Sequence, residues 1–113
     1  MARNSIVIFL LFFSSLLAQD SKSVCAQEVA KIDQQIEKLT QQRDQHAALA
    51  AQYQKQGDLW KYRSGDIEDA YAAWGKASQE RSAAFDLQQQ IDQLKDKKER
   101  IYWSYPSLRP RDS

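Results

Sequence analysis

From Val29 onward the apolar residues of this chain recur at alternating spacings of three and four. Val29, Ile36, Ala50 and Gly57 form one column, and Ile32, Leu39, Tyr53 and Trp60 form the other. That is the heptad pattern of a helix presenting a narrow seam to a partner helix. The positions between are largely Gln, Lys, Asp and Glu, which suit a solvated face. Arg43 and His46 interrupt the seam, because both fall in the two columns where the pattern asks for apolar side chains.

The seam stops at "YRSGDIED". Gly65 can take the left-handed conformation that closes a helix. Asp66 is a good N-cap for the next helix, with Glu68 and Asp69 placing negative charge in its first turn. Gly57-Asp58 is a competing stop, but Tyr53, Leu59 and Trp60 carry the pattern through it. A second helix runs to Trp103, where Pro106 forbids continuation and biases Tyr105 toward an extended backbone. Its later half has its own seam of Ala84, Leu87, Ile91, Leu94 and Ile101, with Lys98 at one position. Its earlier half, Ile67, Ala70, Tyr71, Ala73, Trp74 and Ala77, is apolar over more than one stripe and implies contact on two sides.

Folding the chain back at Arg63-Ser64 satisfies both seams in a single antiparallel register. Trp60 meets Ile67, Tyr53 meets Trp74, Leu39 meets Leu87 or Gln88, Ile36 meets Ile91, and Ile32 meets Leu94 or Lys95. The expected fold is all-α, an antiparallel two-helix hairpin with coiled-coil character, with helices over about 27–63 and 66–103 and an irregular tail over 104–113. In this register Arg43 and His46 face Glu80, Arg81 and Ala84. A polar layer of Arg43, His46, Glu80 and Arg81 would cost stability but set register and partner number.

The amino terminus has the layout of a secretory signal peptide, residues 1–26. Arg3 supplies the positive charge, and Ile6 to Leu17 form an apolar run too short for the about 20 residues a membrane-spanning helix needs. Val24-Cys25-Ala26 offers small residues at the first and third positions before a cut after Ala26; the alternative cut follows Ala18. The choice decides whether Cys25 survives as a lone thiol in an oxidising compartment. Removing residues 1–26 takes away Arg3, Lys22 and Asp20 and leaves equal numbers of basic and acidic residues. A neutral balance argues against nucleic acid as a partner, and the membrane is expected to be met only transiently, through the signal peptide.

Little in the chain points to catalysis. His46 is the single histidine, without the three or four ligands a transition-metal site requires. A pH-sensing role is open to it, with a structural polar layer as the simpler reading. No serine or cysteine stands with a base and an orienting group, and no glycine-rich phosphate loop occurs. We therefore expect no enzyme, no cofactor and no metal.

Two local resemblances point the same way. "GDIEDAYAAWGKA" (65–77) resembles the second helix of a tetratricopeptide repeat and "LAAQYQKQGD" (49–58) its first, although "LWKYRS" intervenes and there is no second copy. "LTQQR" (39–43) is similar to half of the signature of Spy-like periplasmic chaperones, but ends in Arg and occurs once. Neither carries a functional residue across; both imply a helical protein that binds other proteins. The aromatics gather at two ends. Tyr53, Trp60, Tyr62, Tyr71 and Trp74 lie near the turn; Tyr102, Trp103 and Tyr105, with Pro106 and Arg109, lie near the open end. They either plug a thin bundle or form a binding surface, since Trp, Tyr and Arg dominate interface hot spots. The candidate partner-binding residues are Tyr71, Trp74, Tyr102, Trp103, Tyr105 and Arg109. The expectation is an exported, periplasmic or secreted, non-enzymatic interaction or structural protein with a protein partner, forming a homodimer. A secreted effector acting on another cell is the alternative, and a degenerate tetratricopeptide-like module a further one.

Overall fold

Two long helices pack side by side in a computed structural model that describes residues 21–111, where no strand occurs. Helix α1 spans Ser21–Leu59 and continues into a π turn, Trp60–Ser64. Helix α2 spans Ile67–Ser104, and a 3-10 turn, Pro106–Leu108, follows it. The hairpin is therefore the architecture of the described residues. The apolar run Ile6–Leu17 and both the Ala18 cut and the first part of the expected signal peptide lie outside the described residues. Cys25 lies within α1 as a free, partly covered thiol. No helix among the described residues is long and apolar enough to cross a membrane.

The reversal is built from three neighbouring residues. Gly65 adopts φ 70°, ψ 12°, a left-handed backbone that a Cβ would strain. That conformation lets the Gly65 N–H reach back to the Trp60 carbonyl, which also accepts from the Asp66 N–H at 3.0 Å. The two bonds return to one carbonyl from five and six residues on, so the end closes one residue wider than a Schellman end, as the π turn requires. Asp66 then caps α2, its carboxylate accepting from the Asp69 N–H at 3.2 Å. The same carboxylate, beside the Asp69 carboxyl, holds the latter above the usual range. The sequence places the first helix end at Arg63. The difference is in the last turn, which widens to π geometry over Trp60–Ser64 before closing.

The interior changes character along its length. Near the turn it consists of small residues: Ala50, Ala70, Ala73 and Ala77 are all 7% exposed or less, and Gly57 is buried with them. Further away Ile32 and Ile91 are both 1% exposed. The seam columns Val29, Ile36, Leu39 and Tyr53 on α1, and Ala84, Leu87, Leu94 and Ile101 on α2, are partly covered. One pair is longer-reaching than a seam alone explains. Lys98, at a seam position of α2, crosses to Asp33 at 2.7 Å, and the Asp33 carboxylate raises its pKa above the usual lysine value. Trp60 departs from its column: it stands where the helices part and is 41% exposed.

Candidate functional site

The proposed polar layer divides into separate pairings. His46 Nδ1 meets Glu80 Oε2 across the helices, with both side chains partly covered. Arg43 takes different partners: its Nη1 donates to Gln88 Oε1 at 2.5 Å, and Nη2 and Nε hold its neighbour Asp44 at 2.8 and 3.1 Å. Arg81 is exposed and donates to Gln54 Oε1 at 3.3 Å, on the turn side of His46. A single four-residue layer is thus corrected to three adjacent contacts. Antiparallel geometry explains it. Moving one turn down α1 from His46 to Arg43 moves the facing position one turn up α2, away from Arg81, and two guanidinium groups gain nothing by sharing a site. His46 has one carboxylate, and among the described residues no group of three or more His, Cys, Asp or Glu is placed to hold a metal.

At the turn end the expected Tyr53–Trp74 contact is displaced by about one turn toward the loop. Trp74 lies over Gly57, where a Cβ would run into its indole ring. Its Nε1 donates to Asp58 Oδ1 at 3.1 Å, and the same oxygen accepts from Gln54 at 3.2 Å. Lys61 Nζ stands 5.6 Å from the indole centroid, and Tyr71 packs edge-on at 5.8 Å and 75°. Glycine is what makes this seat possible, because only a residue without a side chain leaves room for an indole against the helix backbone. Tyr53 instead lies under the Lys76 ammonium at 5.7 Å.

Around this lock the large apolar side chains face solvent. Tyr71 is 66% exposed, Tyr62 75%, Ile67 54%, Leu59 43% and Trp60 41%. Leu59, Trp60 and Arg63 line one hollow of about 420 Å³, and Trp60, Tyr53 and Lys76 line another of about 240 Å³. Of the candidate partner-binding residues here, Tyr71 is free at the surface while Trp74 is committed to Gly57 and Asp58.

The open end corrects the sequence reading most. Tyr102 is 4% exposed and belongs to the core, not to a binding surface. Arg109 is engaged: its guanidinium stands 5.1 Å from the Tyr102 ring and forms a fork on Glu99 at 3.2 and 2.8 Å, which raises its pKa. Tyr105 is half-buried, with its hydroxyl 3.2 Å from Ser21 Oγ. The tail is therefore folded back onto α2 through the turn that Pro106 starts; Arg109 stays exposed but paired, and Trp103 is the unengaged member of this group, 81% exposed. Nearby, Lys97 pairs with Glu28 at 2.9 Å and holds its carboxyl below the usual range.

Two features had no reading in the sequence. Phe85 is 62% exposed although it neighbours the α2 seam. A groove of about 640 Å³ runs between the helices with Leu39 and Leu94 in its lining, together with Lys38, Lys97, Arg100 and four glutamines. The glutamines read as solvated face from sequence, and only the pairing of the helices brings those of α1 beside those of α2. The stretches resembling a tetratricopeptide pair, 49–58 and 65–77, do lie on either side of the turn, but each continues into a helix of 39 or 38 residues. Comparison of the chain with known protein families, curated proteins and solved structures finds no match in any of the three.

Proposed function

We propose that this chain is an exported, non-catalytic helical hairpin with coiled-coil character that works by holding another protein chain, as an adaptor, chaperone-like clamp or secretion accessory of the cell envelope or extracellular space. One observation carries the reading. The chain fills its turn-end interior with alanines and glycine, and leaves Leu59, Trp60, Tyr62, Ile67 and Tyr71 around that same end between 41% and 75% exposed. Scattered apolar residues on a surface are ordinary, but large ones gathered around one end mark a surface that a partner covers. Export rests on the amino-terminal sequence, where a charged start, an apolar run of signal-peptide length and the small residues before Gln27 follow one another, with a cut after Ala18 as the alternative.

The test is site-specific photocrosslinking in the expressing cell. A photoreactive phenylalanine analogue at Tyr62 or Tyr71 should give adducts of discrete mass, and the same analogue at Glu37, on the polar face of α1, should give none. Equal labelling at all three positions would refute a dedicated surface. Fractionation accompanies it: retention with the envelope supports an envelope role, and recovery from the medium supports a secreted factor acting on another cell. Recovery of uncleaved chain from the cytoplasm defeats the export reading.

A further inference from the structure

The exposed apolar residues of α2 are not scattered. Ile67, Phe85 and Trp103 are spaced eighteen residues apart, which is a whole number of turns at 3.6 residues per turn. They therefore lie in one line along the helix, at about 0, 27 and 54 Å, with Tyr71 beside Ile67. All are exposed: Ile67 54%, Tyr71 66%, Phe85 62% and Trp103 81%. The buried face, Ala70, Ala73, Ala77, Ile91 and Tyr102, points away from this line toward α1.

The line is also symmetric about its middle. Ile67 and Trp103 stand at equal distances on either side of Phe85. A two-fold axis joins each surface to itself, so residue i meets j and j meets i. Resting on the reading that a protein covers the exposed aromatics, we propose that the α2 line is the interface of an antiparallel homodimer whose two-fold axis passes at Phe85. Phe85 then packs on Phe85 of the second copy, and Ile67 with Tyr71 packs on the second copy's Trp103, once at each end.

Charge agrees with this register and distinguishes a second copy from an arbitrary partner. Glu68 and Arg100 lie on the same flank of the line and come to nearly the same height in the antiparallel pair. Neither is in an ion pair among the described residues. On the other flank Arg81, which makes a 3.3 Å contact to Gln54, stands about 4.5 Å along the axis from Asp92 of the second copy, within the reach of its long side chain. Each complement occurs twice by symmetry. Between the apolar sites Ser78 comes level with Asp92 and Ser82 nearly level with Gln89 of the second copy, so small residues oppose longer polar ones. A strip about 54 Å long and one helix width, about 10–12 Å, covers about 1,100–1,300 Å² over both copies, at the lower end of what a stable interface buries. The dimer should accordingly dissociate on dilution.

Disulfide trapping tests the register. The full-length chain is expressed and purified with Cys25→Ser, so that no native thiol competes, and single cysteines are introduced. Phe85→Cys should form a linked dimer under mild oxidation, at least about tenfold faster than Gln79→Cys on a different exposed flank, because proximity on the axis raises the effective thiol concentration. Ile67→Cys and Trp103→Cys should each remain unlinked alone and link to one another when mixed. Phe85→Glu, checked for retained helicity at 222 nm, should sediment as monomer where the parent sediments as dimer. Linking at Phe85 no faster than at Gln79 overturns the proposal, and so does a parent chain that sediments as a helical monomer at micromolar concentration. Ile67→Cys linking to itself overturns the antiparallel register. None of these outcomes depends on crosslinks from Tyr62 to other proteins, so loss of the dimer and loss of the protein-binding role remain separate results.

Discussion

Gly57 and Gly75 both lie in helices, yet the same substitution should move stability in opposite directions at the two sites. Gly→Ala inside a helix ordinarily stabilises by about 0.5–1 kcal/mol, because alanine loses less backbone entropy on folding. At Gly75 a Cβ meets nothing within 4 Å, so Gly75→Ala should realise that gain. At Gly57 the new Cβ would overlap the Trp74 indole, which is a rigid ring and not the end of a flexible chain. Relief requires the ring to move, at about 1–3 kcal/mol for an overpacked site. Movement also breaks the Trp74 Nε1–Asp58 bond at 3.1 Å, worth about 1.5–3 kcal/mol for a charged acceptor at full strength and about 1 at this half-buried site. Set against the propensity gain, Gly57→Ala should destabilise by about 1–3 kcal/mol. Urea unfolding of each variant, followed by circular dichroism at 222 nm and by tryptophan fluorescence, measures both. A double-mutant cycle isolates the cause, since in a Trp74→Ala background the obstacle is gone and Gly57→Ala should become neutral or stabilising. If Gly57→Ala stabilises the parent chain as much as Gly75→Ala does, the indole seat on Gly57 is not there and the reasoning fails.

Gly65→Ala should destabilise by about 1 kcal/mol through its left-handed backbone alone, with open space around the new methyl, and an unchanged urea midpoint would contradict the φ of 70°. Replacing Arg43 and His46 together with leucine should raise stability by about 1–2 kcal/mol, since two partly covered seam positions gain apolar burial while Glu80 loses its partner, and should broaden the distribution of oligomer sizes in sedimentation. Glu28 gives a signed acid response. Its folded pKa lies below its unfolded value because of Lys97, so its contribution is complete above the usual carboxylate range and is lost as pH falls through the folded pKa. Glu28→Gln should flatten the acid limb of stability against pH and leave the limb above neutrality unaltered. Lys98 behaves oppositely: its pKa is raised by Asp33, so its contribution persists through neutrality and is lost as pH rises beyond the usual lysine value of about 10.4, a loss that Lys98→Met should remove.

The hairpin was legible because its determinants are local or periodic. The three-four spacing states which face of each helix turns inward, and Ile32, Ala50 and Ile91 are at the centre of that face. Gly65, Asp66 and Pro106 state where helices end, since each acts through its own φ, its own cap or its missing N–H. The pairing of His46 with Glu80 also followed from register, as a periodic pattern on two helices leaves few ways to align them.

The sites were decided by reach and by absence of volume, which periodicity does not encode. Trp74 turned from its expected neighbour Tyr53 to Gly57 because an indole goes where there is room and an acceptor for its N–H, and Asp58 supplies the acceptor. Arg43 left the expected layer for Gln88 because a long side chain samples more than the position that faces it. Tyr102, adjacent in sequence to the exposed Trp103, is buried, and Arg109 is held against it at the surface by the fold of the tail, in which Glu99 and the Tyr102 ring both bind one guanidinium. The exposure of Phe85 is the same lesson reversed. By itself the sequence determines which residues are apolar and how often they recur, because helix geometry converts spacing into direction. Only the tertiary structure decides which of them are covered, because α1 buries one face of α2 and leaves the line of Ile67, Phe85 and Trp103 in solvent.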